Sequence, residues 1–121
     1  MAILGINHLD LFSPDPRSTR AFYAELLGAE ELDGFHDPLR AGAIQLAFHQ
    51  AEPDASIGGL EIAFDVDARG YAASLETARR LGALEGEEVR WNDVARSFYA
   101  RDPDGRRIEF SHHDPGVFWR A

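Results

Sequence analysis

The chain of 121 residues has no cysteine, no lysine and a single methionine. Without cysteine there is no disulfide, no thiolate metal site and no cysteine nucleophile. That absence fits a reducing compartment, and the cytoplasm is the expected location. Every basic side chain is an arginine, 12 of them against 21 acidic residues, for a net charge of −9. Such a balance lacks the clustered cations that phosphate binding requires, so neither nucleic acid nor an anionic membrane is an expected partner. No apolar run approaches the ~18 residues of a membrane span, and the N-terminus lacks a charged segment followed by an apolar one. What the chain does have is 45 % hydrophobic residues and 11 % aromatics, enough to bury a core.

The chain also contains one pattern written twice. "ILGINHLDLF", residues 3–12, predicts a strand. Asp15 and Pro16 then mark a helix start, and Gly28 a left-handed stop, with Phe22, Leu26 and Leu27 facing the core. Three strands follow, near 31–35, 39–41 and 43–50. In the second half "GGLEIAFDVD" is the strand, Asp67 the cap, and Tyr71, Leu75, Ala78 and Leu81 recur at helical spacing before Gly82. Strands near 86–91, 96–101 and 106–112 complete the copy. His8 to Gly28 spans 20 residues and Glu61 to Gly82 spans 21, so the halves keep step. The turns rhyme as well: Asp37-Pro38 precedes Gln45, and Asp102-Pro103 precedes Glu109. The reading is an α+β chain of two βαβββ modules, 1–50 and 59–121, joined by a linker over 51–58 that is rich in Pro, Asp and Ser.

Strand alternation sorts the side chains. Leu9 and Leu11 lie under the first helix; Leu60, Ile62, Phe64 and Val66 lie under the second. The opposite faces carry His8, Asp10 and Phe12 with Gln45, Ala47 and His49, and Glu61, Ala63 and Asp65 with Glu109. If the two sheets curve toward each other, His8, Gln45, Glu61 and Glu109 converge. Paired carboxylates removed from water need a compensating cation or proton, and a divalent ion held by one imidazole and two carboxylates would supply it. If the face is open to water, the same four are ordinary polar residues.

The residues resemble the vicinal oxygen chelate superfamily, which includes glyoxalase I, methylmalonyl-CoA epimerase, extradiol dioxygenases, fosfomycin-resistance thiol transferases and bleomycin-binding proteins. "INHLDLFSPDPRSTRAFYAELLGAE", "GGLEIAFDVD" and "SFYARDPDGRRIEF" carry the resemblance, which covers nearly the whole chain. It implies a glyoxalase-like fold in which the modules form a curved, half-open mixed sheet in a single domain. It also implies a metal set in which His8 and Glu109 match family ligands, Glu61 stands where histidine is usual, and Gln45 stands where glyoxalase I has glutamate. A His/Glu/Glu centre suits Mn, Fe, Ni, Co, Mg or Zn. The implied activity is a metal-dependent reaction on a small oxygen-chelating substrate through an enolate or oxyanion. Isomerase or lyase chemistry is favoured over ring cleavage, because the dioxygenase triad needs two histidines. Glu61 is the candidate base.

Gln45, Ser97, Tyr99 and Arg107 are candidate pocket residues, with Gln45 also a possible fourth ligand. Arg107 is equally a salt-bridge partner for Glu61. His112 and His113 are neighbours on a strand and so cannot ligate one ion together. His36 and His49 read as rim residues, and Trp91 and Trp119 as core or interface. The alternative function is a metal-free binding or antibiotic-resistance protein of the bleomycin-binding type. A homodimer is expected, with modules exchanged between chains as one way to build it.

Overall fold

Asp15 and Asp67 each close the start of a helix, and each helix holds the same place in a repeated strand order. A computed structural model describes residues 2–33, 37–57, 60–91 and 95–113, with the backbone alone for Trp91. The chain divides into two units, Met1–Ile57 and Gly58–Ala121. The first contains β1 (His8–Ser13), α1 (Pro16–Leu27), β2 (Glu30–Glu31), β3 (Leu39–Ala41) and β4 (Ile44–Gln50). The second contains β5 (Glu61–Asp65), α2 (Ala68–Arg80), β6 (Leu84–Trp91), β7 (Ala95–Arg101) and β8 (Arg107–His113). The sheets are ordered β1-β4-β3-β2 and β5-β8-β7-β6, so the two βαβββ modules have one topology. In each, the first and last strands pair in parallel and the remaining neighbours antiparallel.

In the first unit the Asp15 carboxylate accepts from the Ser18 amide (3.2 Å), Pro16 opens the helix, and Gly28 closes it at φ 57°. The buried stripe of α1 is Thr19, Tyr23 and Leu26; Phe22 and Leu27, expected inside, are half-buried. Tyr23 sets the phase of the helix: its ring packs 5.5 Å from Phe48 of β4, and Phe22 is turned aside by one residue. Leu11, Leu39 and Leu46 complete this core. β1 starts at His8, not at Ile3 as the apolar run predicts. Its one partner among the described residues, β4, begins at Ile44, and the last bond of the ladder runs from the Gln45 amide to the Asn7 carbonyl (3.0 Å). Ile3, Leu4 and Ile6 lie beyond that partner and are exposed.

The second unit packs Tyr71, Leu75 and Ala78 of α2 against a sheet face made by Ile62, Phe98, Ile108 and Phe110. The Phe98 and Phe110 rings stack at 4.9 Å and Tyr71 meets Phe98 edge-on at 5.3 Å. Each such side chain contributes about 1.5–3 kcal/mol by leaving water. β6 begins two residues before its predicted start, because Leu84 and Glu85 pair with Ala100 and Tyr99 ahead of a bulge that ends at Val89. Gly86, inside the bulge, has φ 72°, which side chains avoid.

The Asp102-Pro103-Asp104-Gly105 turn is held by charge. Asp102 Oδ1 accepts from the amides of Asp104 (2.8 Å) and Arg106 (2.9 Å), and its Oδ2 accepts from Arg106 Nη1 at 2.9 Å. Asp102 is 4 % exposed and Arg106 5 %. A buried pair is costly to break from one side, since the survivor keeps its charge without compensation. Asp102→Ala is therefore expected to lower stability by about 3–5 kcal/mol in urea unfolding. A loss below about 1 kcal/mol, the scale of a surface pair, would contradict this account of the turn.

Candidate functional site

The open face of each sheet, away from its helix, gathers the polar side chains that alternation assigns to it. In the first unit His8 lies directly across from Gln45, Asp10 from Ala47, and Phe12 from His49. His8 Nδ1 donates to Asn7 Oδ1 at 2.8 Å, and its Nε2 is turned toward Asp10. Asp10 stands between two imidazoles: its Oδ2 is 3.5 Å from His8 Nε2, and its Oδ1 accepts from His49 Nε2 at 2.8 Å. The bond to His49, and then the charges of His49 and His8, hold the Asp10 carboxyl below its usual range. These side chains, with Asn7 and Gln45, line a concavity of about 390 Å³.

In the second unit Glu61 lies across from Arg107, and Glu109 across from Ala63 on β5 and Tyr99 on β7. The two carboxylates are thus one pair out of step. Glu109 sits in a hydroxyl cradle: its Oε2 accepts from Ser111 Oγ (2.6 Å) and from Ser97 Oγ (2.9 Å). Ser97 is 1 % exposed and its oxygen is 3.0 Å from that of Ser111. Glu61, with its side chain 43 % exposed, makes no hydrogen bond among the described residues and stands 3.8 Å from Arg107 Nε, with which it forms an ion pair. The Arg107 guanidinium covers the Tyr99 ring at 3.9 Å. Glu85 is bonded through both oxygens by Arg101, which holds the Glu85 carboxyl low.

His8 and Gln45 are therefore neighbours, as are Glu109, Ser97 and Tyr99, and Arg107 and Glu61. Among the described residues no three ligating side chains gather around one point, so the structure does not bring His8, Glu61 and Glu109 together as a ligand set. His113 Nε2 lies 2.9 Å from Asp65 on the open face, while His112 Nδ1 bonds the Val66 carbonyl, so the two rings diverge as alternation requires. His36, Trp119 and the Trp91 side chain lie outside the described residues. His49, read as a rim residue, is built into the open face, and Asp10 and Ser111 belong to these clusters too. Parity was their signal: Asp10 is in phase with His8, His49 with Gln45, and Ser111 with Glu109. In chemical type an imidazole and two carboxylates suit a divalent ion, and Glu109 is oriented by fixed hydroxyls, but His8 Nε2 is turned toward Asp10.

Burial, and then the negative charge of Glu109, raise the Tyr99 hydroxyl above its ordinary 10.0. The neutral phenol thus contributes stability in full below pH 10.0, and that contribution is lost as pH rises through the folded value. Spectrophotometric titration of the native chain, with Tyr99→Phe subtracted, is expected to place this ionisation above 10.0, and Glu109→Gln to bring it down. An ionisation unmoved by Glu109→Gln would show that the carboxylate does not act on Tyr99.

A model of the Glyoxalase/Bleomycin resistance protein/Dioxygenase superfamily matches residues 5–110. Among curated proteins, none matches the chain in sequence. Solved structures of similar fold include the oxidase ChaP-H2, with a TM-score of 0.80 and 21 % identity over 95 % of this chain and 98 % of that one. An integron cassette protein of V. cholerae aligns with a TM-score of 0.72 and 28 % identity, covering 94 % and 98 % of the two chains. The fosfomycin resistance protein FosX of Mesorhizobium loti aligns with a TM-score of 0.74 and 22 % identity, covering 94 % and 96 %. No helix among the described residues is long and apolar enough to cross a membrane.

Proposed function

The chain belongs to the glyoxalase/bleomycin resistance protein/dioxygenase superfamily, and on that premise we propose that it is a divalent-metal-dependent enzyme acting on a small oxygen-chelating molecule. The proposed ligands are His8, Glu61 and Glu109. They come from one chain or from two copies that exchange units in a homodimer. The shared fold does not select the reaction, since the structural relatives include an oxidase and a fosfomycin resistance protein. The observation that supports this reading best is the cradle of Glu109. One carboxylate oxygen takes two hydroxyl donors, one of them from a fully buried serine. Such outer contacts orient a ligand before the ion arrives.

Each side chain has a distinct task. His8 would ligate through Nε2, its ring held by the Nδ1–H bond to Asn7 Oδ1, with Asp10 displaced from Nε2 by the ion. Glu109 holds its position through Ser97 and Ser111. Glu61 is held among the described residues by the long ion pair to Arg107 and by no hydrogen bond, so of the two carboxylates it is the better able to shift and carry a proton. A bound divalent ion would supply Lewis acidity, stabilising negative charge on substrate oxygens. Mn, Fe, Ni, Co, Mg and Zn all suit these donors, and isomerase or lyase chemistry uses a carboxylate base of this kind.

A metal-free binding protein is the second reading. Arg107 favours it, because a guanidinium near Glu61 already offsets part of its charge. Elemental analysis after dialysis against Mn²⁺, Ni²⁺, Zn²⁺ or Fe²⁺ separates the two. One ion per site is expected in the native protein, and loss of the ion in the Glu61→Ala, Glu109→Ala double variant, with circular dichroism unchanged. A protein that takes up none of the four ions, or a double variant that keeps its ion, would refute the enzyme reading.

A further inference from the structure

We propose that β1 is a docking edge for a second copy of this chain, the two β1 strands pairing antiparallel across a two-fold axis at Leu9. An open sheet edge is a template for another strand, and proteins guard the edges they do not use. β2, at the far edge of the first sheet, is only two residues long. β6, at the far edge of the second, is bulged around Gly86 and carries Glu85, Glu87 and Glu88. β1 has no such guard. It is six residues long, with β4 on one side and no strand on the other among the described residues. Residues 2–7, just ahead of it, are exposed, and Ile3, Leu4 and Ile6 put large apolar side chains in water there. Phe12, on the strand itself, is 50 % exposed.

Hydrogen-bond direction and charge fix the register. The Asn7 and Ser13 carbonyls accept from the Gln45 and Ala51 amides, so odd-numbered residues of this stretch bond toward β4. Ile6, His8, Asp10 and Phe12 then turn their N–H and C=O groups to the open edge. Pairing about Leu9 sets Ile6 opposite the partner's Phe12 and His8 opposite the partner's Asp10, each twice by symmetry. Exposed apolar side chains cover one another, and each imidazole meets a carboxylate. An axis at Asp10 would instead oppose two Asp10 carboxylates, and an axis at His8 would set Asp10 against the partner's Ile6. Pro14, without an amide hydrogen, ends the ladder opposite the partner's Leu4. β5 is the contrast. The Val66 amide bonds the Ser111 carbonyl on β8, so Glu61, Ala63 and Asp65 turn to its open edge. Full self-pairing there, about Ala63, would set Glu61 opposite the partner's Asp65, a like-charge pair in a chain already at −9. Of these two open edges, β1 is the one whose charges and apolar side chains complement its own copy.

The test combines sedimentation equilibrium with disulfide trapping, both in EDTA so that neither result depends on a metal. A dimer is expected, weakened at least about tenfold by Ile6→Glu with circular dichroism unchanged, since the exposed Ile6 side chain takes no part in the core. The chain has no cysteine, so a single introduced thiol reports the register. Leu9 would face the partner's Leu9 with Cα atoms about 4.5 Å apart, within reach of a disulfide. The two Phe12 residues would lie about 20 Å apart along the strands. Leu9→Cys is therefore expected to oxidise to a covalent dimer at least about tenfold faster than Phe12→Cys, although Leu9 is half-buried and Phe12 exposed. A monomer at every concentration, a dimer that Ile6→Glu leaves intact, or cross-linking of Phe12→Cys as fast as that of Leu9→Cys would overturn the proposal. The last two results would place the contact elsewhere, as an exchange of units would.

Discussion

Two parallel strand pairs, β1 with β4 and β5 with β8, are the constraint on which the rest of the structure depends. A strand has a period of two, so once one register is fixed every side chain on both strands is assigned to a face. The helices fix it: Leu11, Leu46 and Phe48 must pack under α1, and Ile62, Ile108 and Phe110 under α2. The polar residues have no freedom left. His8, Asp10, Gln45 and His49 are driven to one open face, and Glu61, Arg107, Glu109 and Ser111 to the other.

The two open faces solve their electrostatics differently. In the first unit a carboxylate is shared between imidazoles, with Asp10 between His8 and His49. In the second, charge is handled by hydroxyls and arginines: Ser97 and Ser111 on Glu109, Arg101 on Glu85, Arg107 against Glu61. The one-pair offset between Glu61 and Glu109 matters here, because it gives Glu61 a guanidinium as its cross-strand neighbour and leaves Glu109 beside Ala63. One carboxylate is anchored and the other is not, a division suited to a ligand that stays and a ligand that moves.

Much of this was legible in the sequence. The repeat, both aspartate caps, the glycine stops and most face assignments follow from period and turn chemistry alone, and the structure carries them; Leu60, assigned under α2, is instead exposed just ahead of β5. Strand ends were less legible. Ile3, Leu4 and Ile6 read as strand, but the partner strand is too short to pair with them, and partner length is not written in a local pattern. Helical spacing points Phe22 inward with Leu26, whereas packing against Phe48 buries Tyr23 instead. Asp10, His49 and Ser111 were on the right faces but not singled out, since the contacts that give them roles join strands distant in sequence.

The proposal put most directly at risk is that His8, Glu61 and Glu109 bind a divalent cation. Its most direct measurement is paramagnetic broadening of ¹⁵N-labelled amides by Mn²⁺ added below one equivalent. The account predicts that the amides around His8, Glu61 and Glu109 lose intensity together, and that Glu109→Gln protects all three. Broadening confined to one unit, or spread evenly over the acidic surface, would contradict it.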